Sequence, residues 1–436
     1  MNRRFRLYAA VTLVALLVAG CGPCERLDPV TAPAVRGGSA DYSTYVALGT
    51  SIGAGYQSGG LVYRHQLKSY PALFAGQVGA TFTYPAVSDS GYPPLLQLVS
   101  LGSSPVIRQA SVAGTWTNLT QTLPYTNLCV PGAVLYDVAN TARYATGMFP
   151  AIARSTTNSL LAQAVSLQPT FLSFEFGANE VLGSATSGSG TPAFSVSQFS
   201  GILTATLNAL QTNLPHAKLA IFTVPDVTTI PFVTTVKPYF TAGGNRVYFL
   251  CDVDGAHASG HLNPDDYVLL TASSIIAAGT GIPTAYDGTG TPLPGAVVLT
   301  ATEAATLQDA VNGYNIRIRA EAATRGLAVV DLYGMLHTAS TTGIQVVGAR
   351  YTTSFITGGL ISLDGIHPTD FGQGLLTNLM IDAVNATFGS SIAYVNLPEV
   401  ETYAASAILP VDEPQSARGF PQITGLQETV RLIQRR

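Results

Sequence analysis

The chain has 436 residues, more than one ordinary domain needs, which implies one large domain with insertions or two domains. Hydrophobic residues make up 47% and charged residues 11%, against about 25% charged in an average soluble protein, and 43 Gly and 26 Pro imply many turns, so an ordinary disordered chain is excluded. With 21 basic and 25 acidic side chains the net charge is −4, and no basic stripe with interleaved aromatics occurs, which leaves nucleic-acid binding without support.

At the N-terminus Arg3, Arg4 and Arg6 precede an apolar run from Leu7 to Ala19 that closes in Val18-Ala19-Gly20-Cys21. A basic stretch, a short apolar run and small residues are the three parts of a secretory signal, and the run falls short of the ~18 residues of a spanning helix. Small residues before a cysteine resemble a bacterial lipobox. On that resemblance residues 1–20 are a lipoprotein signal peptide and Cys21 carries the lipid, which places the protein in the bacterial cell envelope, at the outer membrane or cell surface. Several acyl chains at about 0.8 kcal/mol per buried methylene hold a protein at a membrane where one chain does not. Cys21 and Cys24 also have C-x-x-C spacing, but nothing nearby supplies the second half of a zinc site. Residues 21–40, with Pro29, Pro33 and Gly37-Gly38, show no periodicity and read as a lipidated tether.

The main domain is expected over residues 41–395. Tyr45-Val46-Ala47-Leu48 reads as a buried strand that runs into a tight turn at Gly49-Thr50-Ser51, and Phe171–Phe176, Leu219–Val224 and Leu327–Leu332 are further buried strands. Between them lie helical patterns over Phe199–Leu214, from Thr300 to Gly326, and from Thr369 to Thr387. The second of these opens with the capping-box pair Thr300 and Glu303 and repeats Leu307, Val311, Tyr314, Ile318 and Ala322 on one face. Strands alternating with helices predict an α/β fold with a mostly parallel sheet. Residues 226–299 break the alternation. Rich in Thr, Gly and Pro, with Tyr239, Phe240, Tyr248 and Phe249, they read as a large insertion over one end of the sheet, a cap or lid or else an ordinary elaborated loop, whose aromatics suit acyl chains or a packed subdomain equally. Residues 396–436 form a C-terminal extension.

Gly49-Thr50-Ser51-Ile52-Gly53 places a serine directly after the first strand, where nucleophiles sit in open parallel sheets, although serine beside glycine more often serves only a turn. The far end supplies what a serine needs. In Leu363-Asp364-Gly365-Ile366-His367-Pro368, His367 can take the hydroxyl proton and Asp364 can hold the imidazole tautomer. Gly132, in Cys129-Val130-Pro131-Gly132-Ala133, and Asn179, in Phe176-Gly177-Ala178-Asn179-Glu180, are candidate oxyanion donors. Taken singly, each of these would be a turn or capping residue.

Jointly and in this order, the serine, glycine, asparagine and Asp-x-x-His elements resemble the SGNH hydrolase superfamily, the GDSL-like esterases and lipases, over residues 43–390. The string Val46-Ala47-Leu48-Gly49-Thr50-Ser51-Ile52-Gly53-Ala54-Gly55-Tyr56-Gln57 is similar to a lipoprotein branch of it. The resemblance implies a flavodoxin-like α/β/α sandwich and a catalytic triad of Ser51, Asp364 and His367. It also implies an oxyanion hole from Ser51, Gly132 and Asn179, hydrolysis of esters of lipids, acylated sugars or small molecules, and no metal or cofactor. Two positions depart from the pattern: Thr50 stands where the family's G-D-S has Asp, and Glu180 where its G-x-N-D ends in Asp. Neither belongs to the triad.

Other candidates are weaker. His257 and His261 have the i, i+4 spacing of a metal pair with Asp252 and Asp254 close by, but Ser259 and Gly260 argue against a helix, so a polar loop is the reading. His65, His216 and His337 carry no motif and read as surface or capping residues. Cys129 and Cys251 are either a disulfide or two buried thiols. A lipid-anchored binding protein that kept the fold and lost turnover, hinted at by Thr50 and Glu180, and a passive envelope protein are the competing functions. The intact Ser51, Asp364 and His367 favour the enzyme.

Overall fold

Five short strands form the centre of the fold. In a computed structural model that describes residues 35–102 and 105–401 with 422–423, 426 and 430–431, β1 (Tyr45–Gly49), β2 (Asn127–Cys129), β3 (Phe171–Phe174), β4 (Lys218–Phe222) and β5 (Ala328–Val330) pair in parallel. The signal segment and Cys21 lie outside the described residues. A parallel sheet is covered on both faces, so its strands read as unbroken apolar runs. Every residue of β1 and β3 is buried. Leu48 of β1 stands opposite Leu128 on one side and Phe174 on the other. Each such side chain contributes about 1.5–3 kcal/mol by leaving water.

The spatial order β2-β1-β3-β4-β5 is that of a flavodoxin-like sheet, as expected. The chain leaves β1 toward β2 on one side and then crosses to β3 on the other. The loops beyond the C-terminal ends of β1 and β3 therefore diverge and open a crevice. Two groups of helices cover the sheet. Helices α2 (Tyr70–Val78) and α8 (Asp370–Phe388) pack on each other, and α8 also lies on β4 and β5. In the other group α5 (Val196–Asn213) packs between α3 (Leu160–Ser166) and α6 (Ala301–Arg325).

Helix α6 has the cap and the face read from its sequence. Thr300 Oγ1 accepts the Glu303 N–H at 3.2 Å, the Glu303 carboxylate accepts the Thr300 N–H at 2.9 Å, and Leu307, Val311, Tyr314, Ile318 and Ala322 are buried. Helix α5 begins three residues before the expected Phe199, because Ser195 and Gln198 form a capping box of their own. The expected strand Leu327–Leu332 is cut short in the same way. Asp331 accepts the Gly334 N–H and starts α7 (Leu332–Thr341), so Leu332 is helical. Strand β2 has only three residues, too few for any periodicity to show.

The insertion, residues 226–299, folds with short antiparallel ladders of its own. Tyr239–Ala242 pairs antiparallel with Asn245–Tyr248, and Tyr267–Val268 with Val298–Leu299. Its aromatics meet one another: Tyr239 contacts Tyr248 edge-on at 5.7 Å, and Phe240 contacts both Phe249 and Tyr286 at 5.6 Å. The C-terminal extension returns to the body, where Gln422–Ile423 pairs in parallel with Val106–Ile107. At the other terminus the chain is fixed well before β1. Ser39 N–H donates to the Phe388 carbonyl at 2.8 Å, at the last residue of α8.

Candidate active site

Strand β1 ends at Gly49, Thr50 continues extended, and Ser51 opens a single helical turn, α1 (Ser51–Ala54). Close packing decides both glycines of this turn. A Cβ on Gly49 would lie 3.0 Å from Cys129 Sγ and from Glu175 Oε2, and one on Gly53 would lie 2.4 Å from Cys129 Sγ. Ser51 is thereby set at the C-terminal edge of the sheet, 4% exposed.

From the opposite end of the chain, the loop before α8 brings the partners. His367 Nε2 is 2.9 Å from Ser51 Oγ, and His367 Nδ1 is 2.9 Å from Asp364 Oδ2. The Asp364 carboxylate only accepts, so Nδ1 carries the proton and Nε2 is left as the acceptor for the serine hydroxyl. Asp364 is held hard. Its Oδ1 accepts the N–H groups of Ile366 and His367 at 2.9 Å each and the Ser362 hydroxyl at 3.1 Å, and its Oδ2 accepts the Gly59 N–H at 3.0 Å. Burial alone would push this carboxyl up, but the His367 charge and the bonds from His367 and the Ile366 N–H outweigh it and hold its pKa below the ordinary aspartate value. Tyr56, fully buried, lays its ring 4.7 Å from the imidazole of His367.

The two candidate hole donors lie on neighbouring loops. Asn179 opens α4 (Asn179–Ala185) after β3, and its carboxamide donates to the Ala133 carbonyl at 2.7 Å. Glu180, beside it, accepts the Leu135 N–H at 2.6 Å. These adjacent residues thus fasten the loop that follows β2. Gly132 lies in that loop at φ +78°, a left-handed conformation that suits glycine, and its carbonyl accepts from Arg143 at 3.2 Å. Burial pushes the Glu180 carboxyl up to about 7, although the Leu135 N–H and Arg143 pull the other way.

Ser51, Asn179 and His367 line one open cleft of about 730 Å³, whereas Gly132 is not in its wall. Most of the remaining wall is apolar: Leu182, Val227, Ile230, Leu360, Ile361, Ile366, and Leu332, Met335, Leu336 and Ala339 on one face of α7. Of the insertion only Val227 and Ile230 reach it, and the aromatics at 239–249 do not.

The profile of the GDSL-like lipase/acylhydrolase family matches residues 45–380, which include every element of this site. The chain belongs to that family. No curated protein matches it in sequence. Similar solved structures include an extracellular lipase from Streptomyces rimosus, at 14% identity and TM-score 0.34 over 79% of this chain and 98% of that one. Phospholipase A1 from Streptomyces albidoflavus stands at 14% identity and TM-score 0.34 over 80% of this chain and 100% of its own. An α/β hydrolase from the metagenome of Lake Arreo is 11% identical at TM-score 0.35, over 80% and 97%. Their activities remain their own at such distances.

Several residues of this GDSL-family site were not marked by the sequence. Glu175, just past β3, is 2% exposed and accepts the Thr50 N–H at 2.9 Å and the Thr50 hydroxyl at 2.9 Å. Burial pushes its carboxyl up to about 7, while bonds from Thr50 and the Gly53 N–H pull it partly back. One acid inside an apolar run, Phe171 to Phe176, was the available signal, since a buried acid needs a reason. The α7 wall was also legible as an apolar i, i+3, i+4, i+7 stripe at Leu332, Met335, Leu336 and Ala339, hidden because Leu332 was assigned to a strand.

The remaining candidates are occupied elsewhere. His257 Nδ1 is 3.0 Å from Asp254 and its Nε2 2.9 Å from Asp266, while His261 Nδ1 faces the Tyr248 carbonyl. Burial would lower the His257 pKa, but the two carboxylates outweigh it and raise it. Cys129 and Cys251 are both free and buried. His65, expected at the surface or in a cap, is half-buried with Nδ1 2.8 Å from Asp370 in the first turn of α8.

Glu175 and Glu180 carry a signed consequence for stability. Their folded pKa near 7 lies above the ordinary 4.5, so between these values the folded state keeps protons that the unfolded chain releases. Their contribution is full below about pH 4.5 and is lost as pH rises toward 7. Urea unfolding across this window should show a shallower decline for Glu175→Gln than for the native protein. Equal slopes would mean that Glu175 does not titrate there.

Proposed function

We propose that the protein is a serine ester hydrolase of the SGNH type that works through an acyl-enzyme on carboxylic esters of lipids, acylated sugars or small molecules. The observation that carries this is the buried, hydrogen-bonded line Ser51–His367–Asp364 opening on an apolar cleft. In this mechanism Ser51 Oγ attacks the ester carbonyl carbon as its proton passes to His367 Nε2. Asp364 keeps the Nδ1 proton in place and stabilises the imidazolium. The tetrahedral oxyanion is met by the Ser51 N–H and by the Asn179 carboxamide, one of whose two hydrogens is engaged by Ala133; the Gly132 N–H, on the loop that Asn179 fastens but outside the cleft wall, is the third donor and has to turn toward the oxyanion to serve. Collapse breaks the bond to the alkoxy group, which leaves as an alcohol with the proton from His367. Water, deprotonated by the same imidazole, then attacks the acyl-serine; the acyl–Oγ bond breaks as that proton passes from His367 to Ser51 Oγ, and the acid is released.

Thr50 and Glu180, the two departures from the family pattern, are both engaged in holding the site, through Glu175 and Leu135 respectively. That supports an enzyme over a binding protein that kept the fold and lost turnover. A serine-directed phosphonate should label Ser51 alone, and Ser51→Ala should abolish labelling. Asn179→Ala should lower turnover by ~10² to 10³ and leave labelling measurable. Failure of the native protein to hydrolyse any ester or to take the phosphonate would reject the enzyme.

The wall of α7 with Leu360, Ile361 and Ile366 supports an aliphatic acyl chain as the occupant of the cleft. Ala339→Leu fills room for about two methylenes, each worth ~0.8 kcal/mol when buried. Kcat/KM for a decanoyl ester should then fall about tenfold relative to an acetyl ester. An unchanged ratio would place the acyl chain elsewhere.

We further propose that the protein is a lipoprotein of the bacterial cell envelope, released by cleavage before Cys21 and anchored through it. The basic stretch, apolar run and Val18-Ala19-Gly20-Cys21 support this, and among the described residues no helix is long and apolar enough to cross a membrane. Metabolic labelling with a fatty acid in a bacterial host should mark the native protein and not Cys21→Ala. Equal labelling of both would overturn the anchor.

A further inference from the structure

The turn that carries Ser51 lacks the support its own sequence position should give. Thr50 precedes the helical turn, yet its side chain caps no backbone N–H. A residue at this place ordinarily accepts the N–H two or three positions on, which Asp does well. Here the Thr50 hydroxyl turns away and donates instead, at 2.9 Å from both Glu175 oxygens. Glu175 collects the rest: it accepts the Thr50 N–H at 2.9 Å and bonds the Gly53 N–H. Its backbone N–H is tied to the Leu48 carbonyl at 3.0 Å, so the carboxylate is held on the rigid end of β3. A Cβ on Gly49 would lie 3.0 Å from Glu175 Oε2, which shows how closely the acid is pressed on the turn.

We propose that Glu175 is a positioning residue for Ser51: it supplies from β3 the carboxylate that the family's G-D-S motif places at position 50. The inference rests on Ser51 being the nucleophile and explains why Thr stands at position 50. With Asp at position 50 only two donors, its own N–H and the Gly53 N–H, would face two carboxylates in one buried turn, and like charges at that spacing destabilise each other strongly. A carboxylate at 175 therefore excludes one at 50, and a hydroxyl donor is the fitting partner. Glu175 touches no reacting atom. It acts by fixing where the Ser51 hydroxyl stands relative to His367 Nε2.

The test is a sign reversal, read as kcat per phosphonate-titrated site so that misfolded protein does not count. Glu175→Ala should lower kcat for an acetyl ester at least tenfold with KM within about threefold. Thr50→Asp should lower kcat in the native background, where it meets Glu175. In the Glu175→Ala background the same Thr50→Asp should raise kcat at least fivefold, by returning the carboxylate to the turn. Should Glu175→Ala fail to fold, Glu175→Gln takes its place in the same cycle with the same expected reversal of sign. The proposal is overturned if kcat of the position-175 variant stays within twofold of native, or if Thr50→Asp acts in the same direction in both backgrounds. A native protein with neither hydrolysis nor phosphonate labelling overturns the hydrolase reading and this inference with it. Native activity without the reversal overturns only the role of Glu175.

Discussion

A carboxylate with no exposure to water must be compensated entirely by its neighbours, and Asp364 meets that condition with five donors. Two are backbone N–H groups of its own turn, one is the Ser362 hydroxyl, one is the Gly59 N–H from the loop after β1, and one is His367 Nδ1. Four of these bonds have a second effect. The turn bonds bend the chain so that His367 emerges three residues later on the same side. The Gly59 bond ties the first and last motifs together across 305 positions of sequence. The His367 bond selects the tautomer that leaves Nε2 free for Ser51. The site is therefore assembled around an anion, and the sheet provides the rigid edge on which that anion can be enclosed.

The other buried acids of the site show the contrast. Glu175 and Glu180 are as enclosed as Asp364, but they have fewer donors and no imidazole in contact, and both are pushed up to about 7. Three carboxyl groups in one neighbourhood thus stand in different protonation regimes because of what each accepts. Asp364, which faces a histidine, has the most donors and stays an anion to the lowest pH of the three.

The parts of this arrangement that could be read from sequence were those that depend on local rules or on the order of short motifs. Strand β1, the cap and buried face of α6, and the Ser51, Asp364 and His367 positions are all of that kind. What stayed hidden depends on distant partners. The three residues of β2 have no periodicity, the shift of Leu332 from strand to helix depends on Asp331 capping, and the value of Glu175 appears only when β3 is laid beside β1. The insertion was legible as an interruption but not as a cluster in which Phe240, Phe249 and Tyr286 satisfy one another, because its contacts join residues with no repeating interval.

Helix α8 begins beside the loop that carries Asp364 and His367 and, at ~1.5 Å per residue, ends nearly 30 Å away, where its last residue receives the Ser39 N–H. The helix that follows the His367 loop at one end therefore fastens the chain ahead of β1 at the other, so those two points are held a full helix length apart and a change that frays the last turn of α8 loosens the entry to β1 rather than the loop.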